Sequence, residues 1–298
     1  MTKPLVTIIT PAYNCEKYIT QTIDSVLDNG YENIEYIVLD DGSSDGILDI
    51  LAGYEYGEPR FTAFAHLNMG EQRTVNKALA MVKGKYFMIV NADDPLLPGA
   101  ISKLVEFMET NPDILCAYPD WDCINEDGSL KFHMRRGKYD FAYMVKHHTC
   151  LPSVGSMFRS DIIKTVGYRN TSFHWLGDFD FWLRVGLAGK MAHVPATLAT
   201  WRYRREQASQ DKSDRRAQEH IRIIQKLYSL PDIPSNLLKV KREAICWSYL
   251  LATVLTDSKL KTVSYLLKAF LTYPTIAFNI EFWDKVVQRA YYILRRQI

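Results

Sequence analysis

Three short polar clusters carry the residue types that nucleotide chemistry needs. In Thr10-Pro11-Ala12-Tyr13-Asn14, the Tyr13 ring offers a face for a base. In Asp40-Asp41-Gly42, Asp41 offers an acceptor for donor groups of a base or ribose. In Asn91-Ala92-Asp93-Asp94, Asp93 and Asp94 offer hard oxygen ligands for a divalent cation on a diphosphate. Acid spacing alone does not single these out, because Asp120-Trp121-Asp122 and Asp178-Phe179-Asp180 also read Asp-x-Asp. Placement does. The Asp93-Asp94 pair directly follows the apolar run at 86–90, which reads as a central strand, and the other two clusters follow the runs at 6–10 and 36–39. In an open parallel sheet, ligands bind beyond the carboxyl ends of the strands, so all three clusters are expected on one rim.

The elements that would position them alternate strand with helix. Ile19, Ile23, Val26 and Leu27 share a helical face, with Asn14 as a cap and Gly30 at the stop. A weaker strand is expected at 61–65, then a helix marked by Val75, Leu79 and Val82 and ended by Gly84. Pro98 opens a helix that carries Ile101, Leu104, Val105 and Met108. Repeated in this order, such elements give a mostly parallel sheet flanked by helices. Beyond residue 113 the pattern is mixed. Residues 114–118 read as a strand, and Asn125-Glu126-Asp127-Gly128 as a turn between extended segments. A short helix is expected from Ser160-Asp161 to Gly167, helical spacing at 178–186, and extended segments at 191–194 and 198–203. The α/β sheet domain is therefore expected over 1–210, with a helical extension over 211–298. Its helices are expected at 214–227, 237–255, 260–270 and 282–294, punctuated by Pro231, Pro234 and Pro274.

Composition narrows the function classes. The 298 residues leave room for about two domains, and 36 basic against 34 acidic residues give no global case for a nucleic-acid partner. The five cysteines (Cys15, Cys116, Cys123, Cys150 and Cys246) are odd in number and lack Cys-x-x-Cys spacing, which reads as free thiols in a reducing compartment. The apolar run at 5–9 stops at Pro11, too short for a signal-peptide core, and no stretch approaches the ~18 apolar residues of a spanning helix. A cytoplasmic location follows as the expectation, with attachment at the inner face of the membrane still open. From Lys259 onward, seven basic residues stand against Glu281 and Asp284, a net of +5, among eight aromatic ones. Such a tail suits an anionic bilayer surface, or else packs on the catalytic domain or a second subunit. The sequence carries no signal for an oligomeric state.

The ordered motifs carry a family resemblance. Thr-Ile-Ile-Thr-Pro-Ala-Tyr-Asn (7–14), followed by Ile-Val-Leu-Asp-Asp-Gly-Ser-Ser-Asp-Gly (37–46), resembles the opening of family-2 inverting glycosyltransferases, whose nucleotide-binding α/β fold is the GT-A type. The likeness continues through Gly70-Glu71-Gln72, Asn76-Lys77-Ala78, Gly84, Asn91-Ala92-Asp93-Asp94 and Pro98-Gly99 to Gly-Asp-Phe-Asp-Phe-Trp-Leu-Arg (177–184), over residues 4–210. It implies that Pro11, Tyr13 and Asp41 form the pocket for the base and ribose of a nucleotide sugar, with Gln72 and Asn76 on the bordering helix. It places Asn91 and Asp93 in the metal motif with Asp94 beside them, Mg²⁺ or Mn²⁺ as cofactor, and Asp178 as catalytic base. A UDP-sugar donor and a saccharide or lipid-linked acceptor, as in polysaccharide biosynthesis, complete the implied reaction. Inverting transfer is one in-line displacement: a carboxylate takes the acceptor hydroxyl's proton while cationic groups offset charge on the leaving diphosphate.

Two positions depart from the family's pattern. Gly177 stands where a second carboxylate often precedes the base. Arg204, in Trp201-Arg202-Tyr203-Arg204, stands where many members have a metal-binding histidine. A guanidinium cannot ligate a metal but is suited to a diphosphate. Trp175, just before the helix of Asp178, is a candidate for stacking an acceptor sugar, and Asp120 a candidate for lining the same subsite. These departures keep open a non-catalytic nucleotide-sugar or glycan-binding scaffold. A dinucleotide-dependent oxidoreductase is disfavoured, since no Gly-x-Gly-x-x-Gly follows the first strand.

Overall fold

The first apolar run forms strand β1 (Val6–Ala12), in which every residue except Pro11 is buried. A strand screened on both faces has no solvent side for polar residues, so its β-branched residues run on without alternation. β1 pairs in parallel with β2 (Ile34–Asp40) and β4 (Tyr86–Ile89), and β2 pairs in parallel with β3 (Phe61–Ala65). The eight-stranded sheet continues through β7 (Met157–Arg159), β5 (Ile114–Ile124) and β6 (Leu130–Met134), in the order β3-β2-β1-β4-β7-β5-β6, with β8 (Lys190–Arg202) paired in parallel to β5. β7 runs antiparallel to β4 and β5, and β6 antiparallel to β5. The mixed, mostly parallel α/β sheet expected from the sequence is therefore present.

The computed structural model describes residues 3–204 and 212–278, together with 280, 282 and 283. The chain divides into two compact units. The first comprises Met1–Tyr139, Leu151–Thr171 and Arg184–Arg204 and contains the whole sheet. Its core is built on Val6, Ile8, Tyr36, Val38, Tyr86 and Met88 from the strands. Ile19, Ile23 and Val26 of α1 (Glu16–Leu27) and Ile101, Leu104 and Val105 of α4 (Ala100–Thr110) pack into it. Gly84, read from the sequence as a helix stop, is not one: the helix before it spans Glu71–Leu79 and is capped at Ala80, and Gly84 serves a close approach instead. A Cβ there would lie 2.7 Å from Thr7 N, 2.7 Å from Tyr86 O and 2.8 Å from Leu5 O, so the β1 and β4 backbones pass too close for any other residue.

Several elements differ from the sequence reading. Helix α2 (Ile47–Gly57) is not signalled, because only Ile47 and Leu51 are buried and an apolar stripe that thin has no clear period. The extended segments at 191–194 and 198–203 form one strand, β8, and the ladder shifts register beside Pro119 and Asp120, where Val194 and Thr197 are the successive partners. The bulge passes over Pro195, which has no N–H to give to a ladder. Asn14 does not cap α1. The N-cap is Cys15, and Asn14 sits in the left-handed region at φ 47°.

The second unit comprises Asp140–Cys150, Ser172–Leu183 and Arg205–Ile298. It holds α5 (Phe141–His147), the first two turns of α7 (Gly177–Ala188), α8 (Asp214–Leu227), α9 (Ser235–Leu255), α10 (Lys259–Thr272) and a 3-10 turn at Pro274–Phe278. α6 (Ile162–Val166) belongs to the first unit. Ser213 and Ser258 cap α8 and α10 by accepting from Arg216 N and Lys261 N. Cys246, Trp247 and Leu250 of α9 pack with Ala269 of α10 and with Ile276, while Ala252 packs with Ala217, Ile221 and Tyr265. The helix expected at 282–294 lies, after 283, outside the described residues, as do Arg205, Lys285, Arg289, Arg295 and Arg296. Among the described residues no helix is long and apolar enough to cross a membrane.

Candidate active site

The ends of β1 and β2 are knitted together by their own loops. Ala12 O accepts from Asp41 N at 2.8 Å. Asn14 N donates to Ser43 Oγ, and Ser44 N donates to Asn14 Oδ1, both at 2.9 Å. Each loop then supplies the acceptor that the other's helix start lacks: Asp45 Oδ2 accepts from Glu16 N, and Glu16 Oε2 from Gly46 N, both at 2.9 Å. This exchange fixes the rim while leaving the Tyr13 ring 55% exposed beside half-buried Pro11.

The two neighbouring aspartates divide their work. Asp40 Oδ2 accepts from the N–H groups of Gly42 and Ser43, each at 3.1 Å, closing an Asx turn, while its Oδ1 is buried with no hydrogen-bond partner. Asp41, also buried, accepts from Met69 N at 2.7 Å and Gly70 N at 2.9 Å, with His66 Nδ1 3.5 Å from its Oδ1. Gly42 permits this approach: its φ is 75°, and a Cβ would lie 2.6 Å from Asn68 N. Asp41 thereby anchors the start of α3 (Glu71–Leu79). From α3, Asn76 exchanges two 2.8 Å hydrogen bonds with the backbone of Arg169. Gln72 Oε1 and Glu71 Oε1 accept from Arg169 Nη1 at 3.3 and 3.1 Å. Gln72 and Asn76 thus hold α3 against the 167–171 segment.

The third cluster separates an inner carboxylate from an outer one. Asp94 is 3% exposed; it accepts from Arg202 N and from Asn91 Nδ2, both at 2.8 Å. Burial, and then the charge of Asp93, push its carboxyl well above the usual range. Asp93 stands nearer the surface, with 14% of its side chain exposed, and its Oδ2 lies 2.7 Å from Arg204 Nε. Burial raises its pKa too, and the Arg204 charge opposes that rise. Arg202 is 1% exposed and supports the loop from beneath. It donates to Asp93 O at 3.0 Å, to Asn125 O and Glu126 O, and to Gln21 Oε1 at 2.6 Å. Two-residue spacing at a strand end puts Arg202 and Arg204 on one side, and both guanidinium groups lie over the Tyr18 ring, at 5.0 and 5.5 Å.

The three clusters form one rim. Thr22 of α1 donates to Ala92 O at 3.0 Å, and the buried Cys15 thiol sits in the fields of Asp93, Asp45 and Arg204, its pKa pushed up to about 12 mainly by burial. Pro11, Tyr13, Asp41, Asn91, Asp93, Asp94 and Arg204 therefore belong to one neighbourhood, bordered by α3. Asp120 is on β5, where His193 Nε2 (2.8 Å) and Arg136 N (2.5 Å) donate to its Oδ1.

Asp178 and Trp175 lie in the second unit. Asp178 is the second residue of α7, half-buried, and its Oδ1 accepts from Phe179 N at 2.6 Å. The chain leading into this helix is held by Glu219 of α8, which is 5% exposed. Its carboxylate accepts from His174 N at 2.7 Å, Trp175 N at 2.9 Å and Leu176 N at 3.2 Å. Two residues on from Asp178, Asp180 pairs with Lys226 of α8 at 2.7 Å. Sequence reasoning missed Arg169, Arg202 and Glu219, since their partners lie tens of residues away. Only Arg202, two residues before Arg204, left a local signal.

Among the described residues no group of three or more His, Cys, Asp or Glu could hold a metal unaided. Asp93 offers a hard, partly open carboxylate, already facing the Arg204 guanidinium. That suits an ion such as Mg²⁺, which takes one or two protein carboxylates and completes its shell with water and substrate phosphates.

Residues 7–167 match the protein-family model described as Glycosyl transferase family 2. An uncharacterized glycosyltransferase of Methanocaldococcus jannaschii is 32% identical over 192 residues, 62% of this chain and 65% of that protein. A chondroitin synthase of Escherichia coli is 27% identical over 227 residues, 74% of this chain but 32% of that protein. The chain thus spans just under two thirds of the first relative and about a third of the second. Among solved structures, S. aureus TarS 1-349 in complex with UDP-GlcNAc superposes with a TM-score of 0.70 at 16% identity, covering 90% of this chain and 81% of that one. The mannosyltransferase PcManGT from Pyrobaculum calidifontis, in complex with GDP-Man and Mn²⁺, gives 0.62 at 16% identity, covering 98% and 86%. At such identities the superpositions speak for the fold, which is GT-A, while the family model covers more than half of the sequence. The chain belongs to glycosyl transferase family 2.

Proposed function

We propose that the protein is an inverting glycosyltransferase. It moves a sugar from a nucleotide sugar, a UDP-sugar in the first instance, to a saccharide or lipid-linked acceptor of polysaccharide biosynthesis. The observation that carries this reading is the joining of Tyr13, Asp41, Asp93 and Arg204 at the carboxyl ends of β1, β2 and β4, the rim where an open α/β sheet binds nucleotides. The family match and the donors held by the TarS and PcManGT structures support it.

In this reading Tyr13 and Pro11 bound the base, and Asp41 holds the backbone against which base and ribose sit. Asn91 and Asp94 brace the loop so that Asp93 faces the diphosphate. A divalent cation held by Asp93 would offset the charge developing on the leaving nucleoside diphosphate. Arg204, drawn to the same carboxylate, donates to phosphate oxygens in a fork that a lysine could not reproduce. Asp178 takes the proton of the attacking acceptor hydroxyl, and Trp175 and Asp120 contact the acceptor. No covalent enzyme intermediate forms, so the anomeric configuration inverts.

The test is release of nucleoside diphosphate from a panel of nucleotide sugars, with and without Mn²⁺ and with saccharide acceptors. Wild-type protein should turn over at least one donor. Asp178→Ala should still bind that donor while turnover falls by roughly 10²–10⁴-fold, the usual contribution of a positioned general base. Donor binding without turnover across a broad acceptor panel would favour a binding scaffold instead.

A further inference from the structure

Helix α10 is apolar on two opposite faces. Thr262, Tyr265 and Ala269 are buried, with the Tyr265 ring 6.3 Å from that of Tyr249 on α9. On the far side, Leu260, Val263, Leu267, Phe270 and Leu271 are 85%, 56%, 58%, 47% and 74% exposed. At 100° per residue these five fall within an arc of roughly 100°, centred opposite the buried face. Apolar exposure continues past the helix, with Phe278 at 92%, Ile280 at 77% and Trp283 at 52%. A helix docked on its own unit needs one apolar stripe. A second one left in water costs about 25 cal/mol for each Å² that could be covered.

The charges around the stripe say what covers it. Lys259 flanks one edge of the arc and Lys268 lies beyond the other, while Lys261, nearer the buried face, is paired with Asp214 at 2.6 Å; residues 259–280 contain no Asp or Glu. Lysine is depleted at protein–protein interfaces, whereas a lysine-edged apolar stripe with aromatic residues matches an anionic lipid surface. The 14-residue helix is too short to span a bilayer, so it would lie in the interface plane.

We propose that this face of α10 seats the protein on an anionic bilayer, with Leu260, Leu267 and Leu271 entering the headgroup–acyl boundary and the flanking lysines meeting lipid phosphates. The inference is independent of the transfer reaction.

The test is co-sedimentation of the full chain with vesicles of phosphatidylcholine alone or mixed with an equal part of phosphatidylglycerol. Binding should be about tenfold or more tighter to the anionic vesicles and should weaken with added salt. The variant L260S/L267S/L271S changes only exposed side chains, and its thermal melt should match the wild type. It should bind anionic vesicles on the order of 100-fold more weakly. K259Q/K268Q, a second variant, should lose the preference for anionic lipid while keeping residual binding. Failure of the wild type to bind anionic vesicles, or unchanged binding by the leucine variant, would overturn the proposal. So would a concentration-dependent dimer that the same leucine substitutions abolish, seen by sedimentation velocity without vesicle binding; it would assign the face to a second copy of the chain.

Discussion

Arg204 Nε lies 2.7 Å from Asp93 Oδ2, so the guanidinium rests on the one outward carboxylate of the Asn91-Ala92-Asp93-Asp94 loop. The pair is partly open, with 32% and 14% of the two side chains exposed. It is therefore positioned to exchange partners when a polyanion arrives, in a way that the enclosed Asp94–Arg202 contact beneath it is not.

If Arg204 binds the diphosphate, Arg204→Ala should weaken UDP binding by about tenfold, the worth of a charge-assisted hydrogen bond, and leave uridine binding nearly unchanged. Arg204→Lys should recover only part of the loss. Equal affinity of the alanine variant for UDP, measured by calorimetry, would remove Arg204 from the site.

Glu219 gives a different kind of prediction, because what it holds is backbone: the N–H groups of residues 174–176. It fixes the backbone of residues 174–176, which leads into α7 and so sets where Trp175 and Asp178 point. Glu219→Gln keeps the shape and one acceptor oxygen but loses the charge that three N–H groups share. It should lower kcat by roughly tenfold with donor KM unchanged. Glu219→Asp, with the charge restored on a shorter stem, should recover part of kcat. A variant in which KM and kcat both stay at wild-type values would make Glu219 dispensable for positioning.

The residues that were legible in the sequence are those whose signal is local. β1, β2 and β4 are continuous apolar runs, and their polar ends follow at once, so the rim could be read before any coordinates. The roles within the rim were less legible. Nothing in the order Asn91-Ala92-Asp93-Asp94 says that Asp94 turns inward to Arg202 N while Asp93 turns out to Arg204; that division is made by a strand more than a hundred residues later. Helix α2 and the three-residue β7 were illegible for another reason: one buries too few residues and the other is too short to show a period.

The second unit contains two histidines that burial holds neutral. His148, with Nε2 3.2 Å from Ala244 O, has its pKa lowered to about 4, and His220, 5.7 Å from it ring to ring, is lowered well below 6.5 by burial first and then by the charges of His148 and Arg216. The unfolded chain takes up protons near pH 6.5 while the folded chain does not. The stabilising contribution is therefore complete above about pH 6.5 and is lost as pH falls from there toward 4. Urea unfolding should show stability dropping by up to about 1.4 kcal/mol per pH unit for each histidine across that window. His220→Phe, which also removes a buried Nδ1 with no partner, should flatten the drop. An unchanged slope in that variant would place the titrating group elsewhere.

The central claim is that the strand-end cluster grips a nucleoside diphosphate with Asp93 at its phosphate end. Calorimetric titration of UDP and of uridine into wild-type protein and Asp93→Ala, with Mn²⁺ present, addresses it most directly. Affinity for UDP should fall by an order of magnitude or more in the variant while uridine binding stays close to wild type. An equal loss of both, or no loss of either, would contradict the account.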